Sequence, residues 1–88
     1  MSINICICGG GGLGHVLMIP KAHTENIITA EPELLLYMFG KVKELAEKLG
    51  VNEKGFRIVA NTGDDGGQTV KHLHIHLLGG KALGWPPC

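Results

Sequence analysis

Three of the chain's five histidines lie, at strict alternation, in the segment Gly66-Gly67-Gln68-Thr69-Val70-Lys71-His72-Leu73-His74-Ile75-His76-Leu77-Leu78-Gly79-Gly80. A period of two is typical of a β-strand, because successive side chains of a strand point to opposite faces. The leucines and the isoleucine between the histidines would then pack inward. The imidazoles of His72, His74 and His76 would share the other face, at spacings of roughly 6–7 Å. The segment therefore predicts a half-buried strand that carries a row of imidazoles.

A row of three imidazoles permits three interpretations. The histidines could be an idle solvated face, they could bind zinc, or one could act as a nucleophile while its neighbours orient it and meet the substrate. A flat strand spreads its side chains along a line, whereas zinc takes converging, tetrahedral ligands, commonly from several elements. We favour the catalytic interpretation, in which Gly66 and Gly67, with the amides of Gln68 and Thr69, would form an anion-binding nest for a phosphate.

Length and composition limit the class of protein. The chain has 88 residues, a formal net charge of zero, a mean hydropathy of +0.18 and three cysteines. We expect a single domain over residues 1–88, small enough to need support from oligomerisation. The zero net charge gives no electrostatic basis for binding nucleic acid, and no apolar run reaches the length of a membrane span. The odd number of cysteines offers no disulfide framework, the N-terminal sequence lacks the positive region of a signal peptide, and a cytoplasmic location is the default expectation.

Strands are predicted over Ser2–Cys8, from His15 to Pro20 and over Phe56–Ala60. The run 9–14 formally contains the dinucleotide-binding pattern G-x-G-x-x-G. That fold requires a helix directly afterwards, and a strand follows here, so the run is interpreted as a glycine turn.

One long helix is predicted over Glu31–Leu49, with Gly50 as its C-terminal cap. Gly40 in its middle is unfavourable for a helix, which predicts a close packing contact there. The apolar positions recur at helical spacing and form one broad stripe, made of Leu34, Leu35, Met38, Phe39, Val42, Leu45, Ala46 and Leu49.

The order strand, strand, helix, strand, loop, strand predicts an α+β fold, an antiparallel sheet with one long helix on one face. The imidazoles would then lie on the sheet face opposite the helix, or in a cleft at its edge. Asn61 follows the third strand and enters the loop before the histidines. We interpret Asp64 and Asp65 in that loop as solvated turn residues rather than metal ligands.

At these residues the sequence resembles a known family. GGQTVKHLHIHLLGG is similar to the histidine triad signature, His-x-His-x-His followed by two apolar residues. The continuation Lys81–Pro87 resembles the C-terminus of the Hint branch, the nucleotide-binding phosphoramidases. The segment His15–His23 resembles the family's strand that ends in proline, lysine and histidine, and Phe56–Gly63 resembles the strand before its glycine loop. The resemblance covers nearly the whole chain after the first dozen residues.

The resemblance implies a HIT-like fold and covalent catalysis. The family's middle histidine maps onto His74, which would attack the α-phosphorus of a purine nucleoside 5′-phosphoramidate and form a nucleotidyl-histidine intermediate. His72 would orient His74, His76 would contact phosphate oxygens, and His15 would support the row as a fourth imidazole. The substrate contacts implied by the resemblance also include Asn61, Gly67, Gln68 and Thr69, with the Thr69 hydroxyl assisting the leaving group.

The resemblance also implies a homodimer, in which Trp85 of the C-terminal tail lies near the partner's active site. The implied ligands are purine nucleotides such as AMP, GMP and their phosphoramidates. No cofactor and no metal is expected, because some family members carry a C-x-x-C zinc pair whereas Cys6 and Cys8 are spaced C-x-C. The family's ribose-binding acid would fall near Ile7, which cannot accept hydrogen bonds from the ribose hydroxyls.

Two alternatives to the phosphoramidase remain. The first is a dinucleoside polyphosphate hydrolase or nucleotidyl transferase, which shares the Gln-Thr-Val and histidine pattern but which the Trp-Pro-Pro tail argues against. The second is a nucleotide-binding or scaffolding protein without turnover, a hypothesis raised by the short N-terminal region.

Overall fold

The strands and the helix form in the predicted order. The computed structural model describes residues 2–7 and 14–80. Four strands build one antiparallel sheet in the order β1-β2-β4-β3, with the single described helix α1 between β2 and β3 in the chain. The elements are β1 Ile3–Ile7, β2 Gly14–Pro20, α1 Pro32–Leu49, β3 Phe56–Val59 and β4 Ile75–Gly79. The predicted α+β class is confirmed.

Side chains of β4 and of the residues just before it alternate between the two faces of the sheet. Leu73, Ile75 and Leu77 are at most 2% exposed, while the histidines between them are half-buried. The buried set packs with Val16 and Met18 of the neighbouring strand against the helix. Burial of this alternate set sets the register of the strand, since a slip by one residue would turn every side chain to the other face. The imidazoles therefore lie on the face away from the helix, as predicted.

The helix begins one residue after the predicted start and ends at the predicted residue. Pro32 occupies the first turn, where its missing N–H costs no hydrogen bond. At the other end Gly50 has φ 72°, and the amides of Gly50 and Val51 donate to the carbonyls of Glu47 and Ala46. This left-handed ending satisfies carbonyls that the helix would otherwise leave unpaired.

Part of the predicted apolar stripe faces outward. Leu34, Met38, Val42, Leu45 and Ala46 are buried and Leu35 is partly buried against the core. Phe39 and Leu49 are 47% and 37% exposed, because they lie at the margins of a stripe wider than the sheet covers. The close contact predicted at Gly40 is wrong within the described chain, where a Cβ at Gly40 would meet nothing within 4 Å.

The last strand is shorter than the alternating sequence. Its ladder with β2 ends at the pair Met18–Ile75, so His72 and His74 precede the regular strand. Proline at position 20 has no N–H to continue the ladder. The amide of Leu73 donates instead to the Thr24 carbonyl, at 2.8 Å. Alternation of burial nevertheless continues through these residues.

Several predictions fall on residues that the structure does not describe. They concern Cys8, the part of the glycine run that precedes Gly14, and Trp85. Within residues 2–7 and 14–80, no helix has the length and apolar character needed to cross a membrane.

Candidate active site

Two hydrogen bonds to backbone carbonyls determine where the protons of His72 and His74 lie. The Nδ1 atom of His74 is 2.8 Å from the carbonyl oxygen of His72. A carbonyl can only accept, so His74 donates from Nδ1–H, and the neutral ring carries its lone pair on Nε2. In the same way, Nε2–H of His72 donates to the carbonyl of Pro20 at 3.0 Å. His74 is therefore held in the tautomer that leaves Nε2 free to act as a nucleophile or base.

The third histidine of the row is paired with the histidine from β2. Nε2 of His15 and Nδ1 of His76 are 3.1 Å apart, and the two rings are stacked with centroids 5.3 Å apart. The His76 ring also meets the His74 ring edge-on, at 5.1 Å between centroids. This contact brings His15 to the row from a position 61 residues earlier in the chain.

Burial favours the neutral form of His76. Its pKa is lowered from the ordinary value, first by burial and then by the charges that His74 and His15 would carry when protonated. A neutral ring has one N–H to donate. If His15 donates to Nδ1 of His76, that N–H is on Nε2 and is available to an oxygen anion.

His23, to which the sequence assigned no part in the site, joins the row. Its side chain is exposed, and its ring meets that of His72 edge-on at 5.1 Å between centroids. All five histidines of the chain thus form one continuous series of contacts, in the order His23, His72, His74, His76, His15. The only signal in the sequence was that a histidine closely follows Lys21 and the proline that ends β2.

The turn of the glycine loop uses one of the two amides predicted for the nest, that of Gln68. The amide of Gly67 donates to the Asp64 carbonyl and the amide of Gln68 to the Gly63 carbonyl, both at 3.0 Å. These two donors stabilise the turn itself, so neither is directed at an anion in this conformation. Asp64 and Asp65 are exposed turn residues, as interpreted from the sequence.

Asn61 and Thr69 flank this turn. The Nδ2 atom of Asn61 donates to the Gly66 carbonyl at 2.6 Å, which closes the loop across five residues and leaves the amide oxygen as an acceptor. Thr69 is exposed just before the row. Both residues therefore remain candidates for substrate contacts, with Asn61 also supporting the loop.

Gln68 departs most from its expected role. Its side-chain amide makes four hydrogen bonds, to the Gly63 amide, Asn26 and the carbonyls of Glu25 and Val70. The expected substrate contact from this side chain would have to break one of them. Asn26, which is the one buried polar residue of the described chain, was not identified from the sequence, because a lone loop asparagine carries no sign of burial.

In the described ranges, no three His, Cys, Asp or Glu side chains are grouped so that they could hold a metal ion. The expectation that the reaction uses no metal stays a prediction.

A sheet that carries a histidine row, with the middle imidazole held in one orientation by a backbone carbonyl, is the arrangement of a histidine triad protein. Comparison with known families agrees: the HIT domain model matches residues 13–83. The chain belongs to the HIT domain family.

Proteins related in sequence align with most of this chain. An uncharacterized HIT-like protein of Synechococcus elongatus is 53% identical over 76 residues, which cover 83% of this chain and 66% of that protein. One from Chlamydia trachomatis is 51% identical over 73 residues, covering 80% of this chain and 65% of that protein. The chain thus spans just under two thirds of the length of these relatives.

Solved structures share the fold. A HIT family hydrolase from Legionella pneumophila superposes with a TM-score of 0.80 at 42% identity, covering 85% of this chain and 70% of that one. A histidine triad nucleotide-binding protein from Candida albicans gives a TM-score of 0.68 at 30% identity, covering 83% of this chain and 59% of that one.

Proposed function

We propose that this chain hydrolyses purine nucleoside 5′-phosphoramidates through a nucleotidyl-His74 intermediate. The observation that carries the proposal is the 2.8 Å bond from Nδ1 of His74 to the His72 carbonyl, which leaves Nε2 unprotonated in the neutral ring. Membership of a family with structures named as hydrolases and as nucleotide-binding supports the class of reaction.

In the first step Nε2 of His74 attacks the α-phosphorus. The Nε2–P bond forms, the P–N bond to the leaving amine breaks, and its electron pair goes to the amine. The amine takes a proton from the Thr69 hydroxyl, which recovers one from solvent water. The ring is then a phosphorylated imidazolium. The His72 carbonyl stabilises it, because a hydrogen bond from a charged donor is stronger than one from a neutral ring.

In the second step water attacks the phosphorus and the Nε2–P bond breaks. Nε2 recovers its electron pair, and the product is a nucleoside monophosphate such as AMP or GMP. The attacking water releases one proton to solvent, which balances the proton taken up in the first step. Imidazole suits both steps, because it is neutral and nucleophilic near pH 7 and is also a good leaving group.

The other residues of the proposal contact the phosphate or the ribose. His76, paired with His15, donates Nε2–H to a phosphate oxygen. The Thr69 amide, one of the two amides expected in the nest, donates to the developing charge, and the backbone at Gly67 admits close approach because no side chain stands there. The Asn61 amide oxygen accepts a ribose hydroxyl.

Product analysis tests the proposal. Purified protein is given an AMP phosphoramidate of an amine and, separately, diadenosine polyphosphate; we expect AMP and free amine from the first and little turnover of the second. Preferential cleavage of the dinucleotide would replace the proposal with the alternative hydrolase. Binding of AMP without turnover of either compound would indicate a binding protein.

Rapid quenching tests the intermediate. With a labelled phosphoramidate, we expect AMP on the protein through an acid-labile, base-stable P–N bond. The bond should be absent in His74→Asn, which still binds AMP, and slower to form in His72→Asn. An adduct that persists in His74→Asn contradicts the mechanism, as does loss of activity with a chelator.

We also propose a homodimer formed through the outer face of α1. Leu36 and Phe39 are 76% and 47% exposed on this face, and the open space at Gly40 lets a partner backbone approach. Trp85 of one protomer would then contribute to the partner's site. Sedimentation should show a dimer that Leu36→Glu dissociates, while Lys48→Glu, elsewhere on the exposed helix surface, leaves it intact. A stable monomer at micromolar concentration contradicts the dimer.

A further inference from the structure

The side chain of Gln68 has no hydrogen-bonding capacity to spare. Its Oε1 accepts from the Gly63 amide at 2.9 Å and from Nδ2 of Asn26 at 3.3 Å. Its Nε2 donates to the carbonyls of Glu25 and Val70, at 2.7 and 3.1 Å. A primary amide has two donor hydrogens and two acceptor lone pairs, and all four are used.

These partners also determine the orientation of the amide. Gly63 offers only an N–H donor and the two carbonyls offer only acceptors. A flipped amide would therefore place its NH2 against the Gly63 N–H and its oxygen against both carbonyl oxygens. Gln68 is consequently held in one orientation by backbone groups on either side of it.

The Asn26 side chain connects this amide to a turn closed by its own hydrogen bonds. Asn26 is 8% exposed, its Oδ1 accepts from the Ile28 amide at 2.9 Å, and its Nδ2 reaches Gln68. The Thr29 hydroxyl accepts from the amides of Glu25 and Asn26, which closes the turn. Leaving a buried amide without a hydrogen-bond partner would lower the stability of the fold, so this link is expected to persist.

The same turn is bonded to the segment on both sides of Thr69 and His72. Gln68 attaches at one end, and at the other the Leu73 amide donates to the Thr24 carbonyl at 2.8 Å. Between those two attachments lie the Thr69 hydroxyl and the His72 carbonyl that sets the tautomer of His74.

We propose that Gln68 and Asn26 form a positioning pair, which holds the Thr69–His72 backbone in place relative to His74 and does not contact the substrate. The assignment rests on the proposed function for its kinetic consequences. A displacement of about 1 Å at a reacting group is enough to lower a rate about 10²-fold.

Two isosteric variants test the pair. Asn26→Asp keeps the acceptor for the Ile28 amide and removes the donor to Gln68; Gln68→Glu keeps the acceptor and removes both donors. For each we expect kcat on an AMP phosphoramidate to fall about 10²-fold with KM changed less than about threefold. The double variant should be no slower than the worse single one, because both break the same link. Asn52→Asp, on an exposed turn, is the matched control and should retain wild-type kcat.

The outcomes separate positioning from substrate contact. A raised KM with kcat retained in Gln68→Glu would mean that Gln68 binds the substrate, and it would overturn the proposal. Full activity of Asn26→Asp, or additive losses in the double variant, would overturn it as well.

A spectroscopic measurement tests the positioning pair without using the reaction. In nitrogen-15 spectra of the full chain, both variants should shift the His74 Nδ1–H and Thr69 amide signals, while Asn52→Asp leaves them in place. If the wild type cleaves no phosphoramidate, the proposed function fails, and these shifts alone decide the positioning pair. Unchanged His74 and Thr69 signals in both folded variants would contradict it.

Discussion

The histidine row and the glycine loop adjoin each other but obtain their geometry in different ways. The sheet positions the row: one face of the alternating segment is buried, so the histidines have only the other face to occupy. The loop is held by its own amides, by Asn61 and by Gln68. A side-chain period is thus a reliable guide to which residues share a face. Glycines in a loop indicate only that the backbone turns, and the direction of each N–H depends on the partners it finds.

The largest expected effect lies in the row. His74→Ala removes the only nucleophile of the proposed covalent route, and we expect kcat to fall on the order of 10⁴-fold or more. Steady-state hydrolysis of an AMP phosphoramidate measures it. A fall of less than tenfold would place the nucleophile elsewhere.

A smaller effect is expected from the loop side of the site. Thr69→Ala removes a hydroxyl that assists departure of the amine, a role worth about 10²-fold at the low end of acid–base catalysis. The effect should shrink for a substrate whose leaving group needs no proton. Equal losses for Thr69→Ala and His74→Ala would contradict the separate roles of loop and row.

A matched pair of glycine substitutions compares the stability of the two regions. A Cβ at Gly66 would overlap the backbone of Thr62, whereas a Cβ at Gly79 would meet the Val51 side chain at 3.0 Å. A side chain shifts more easily than a loop backbone, so Gly66→Ala should cost about 2–3 kcal/mol and Gly79→Ala about 1 kcal/mol, both within the usual range for overpacking. Urea denaturation measures both. The reverse order would show that the loop adapts more easily than the sheet.

The smallest effect is a pH dependence of stability from His76. Because its pKa is lowered in the folded protein from the ordinary 6.5, the unfolded chain binds the proton more readily. Its contribution to stability is therefore present above about pH 6.5 and is lost as the pH falls from there through the folded pKa. His76→Gln should flatten the dependence of the unfolding free energy on pH below 6.5. An unchanged slope would exclude His76 as its source.

The elements of the fold follow from patterns that reflect burial. The helix from Pro32 to Leu49 differs from its predicted range by one residue, because proline and glycine mark its two ends. The end of a ladder depends on the partner strand, which is why β4 begins at Ile75 rather than before His72. The contact predicted at Gly40 failed for a related reason, since a glycine in a helix does not reveal whether the facing surface belongs to the same chain.

The sequence by itself determined the α+β order of elements, the inward and outward faces of the histidine segment, and the resemblance to the histidine triad signature. Each of these depends on the spacing of residues along the chain, because the local geometry of a helix or strand fixes which way each side chain points. Only the tertiary structure decided that His15 bonds to His76, that His23 touches His72, and that Gln68 uses its whole amide to join three segments. Such contacts join residues far apart in the chain, and their hydrogen bonds form only where the packed sheet and loops bring donor and acceptor within reach.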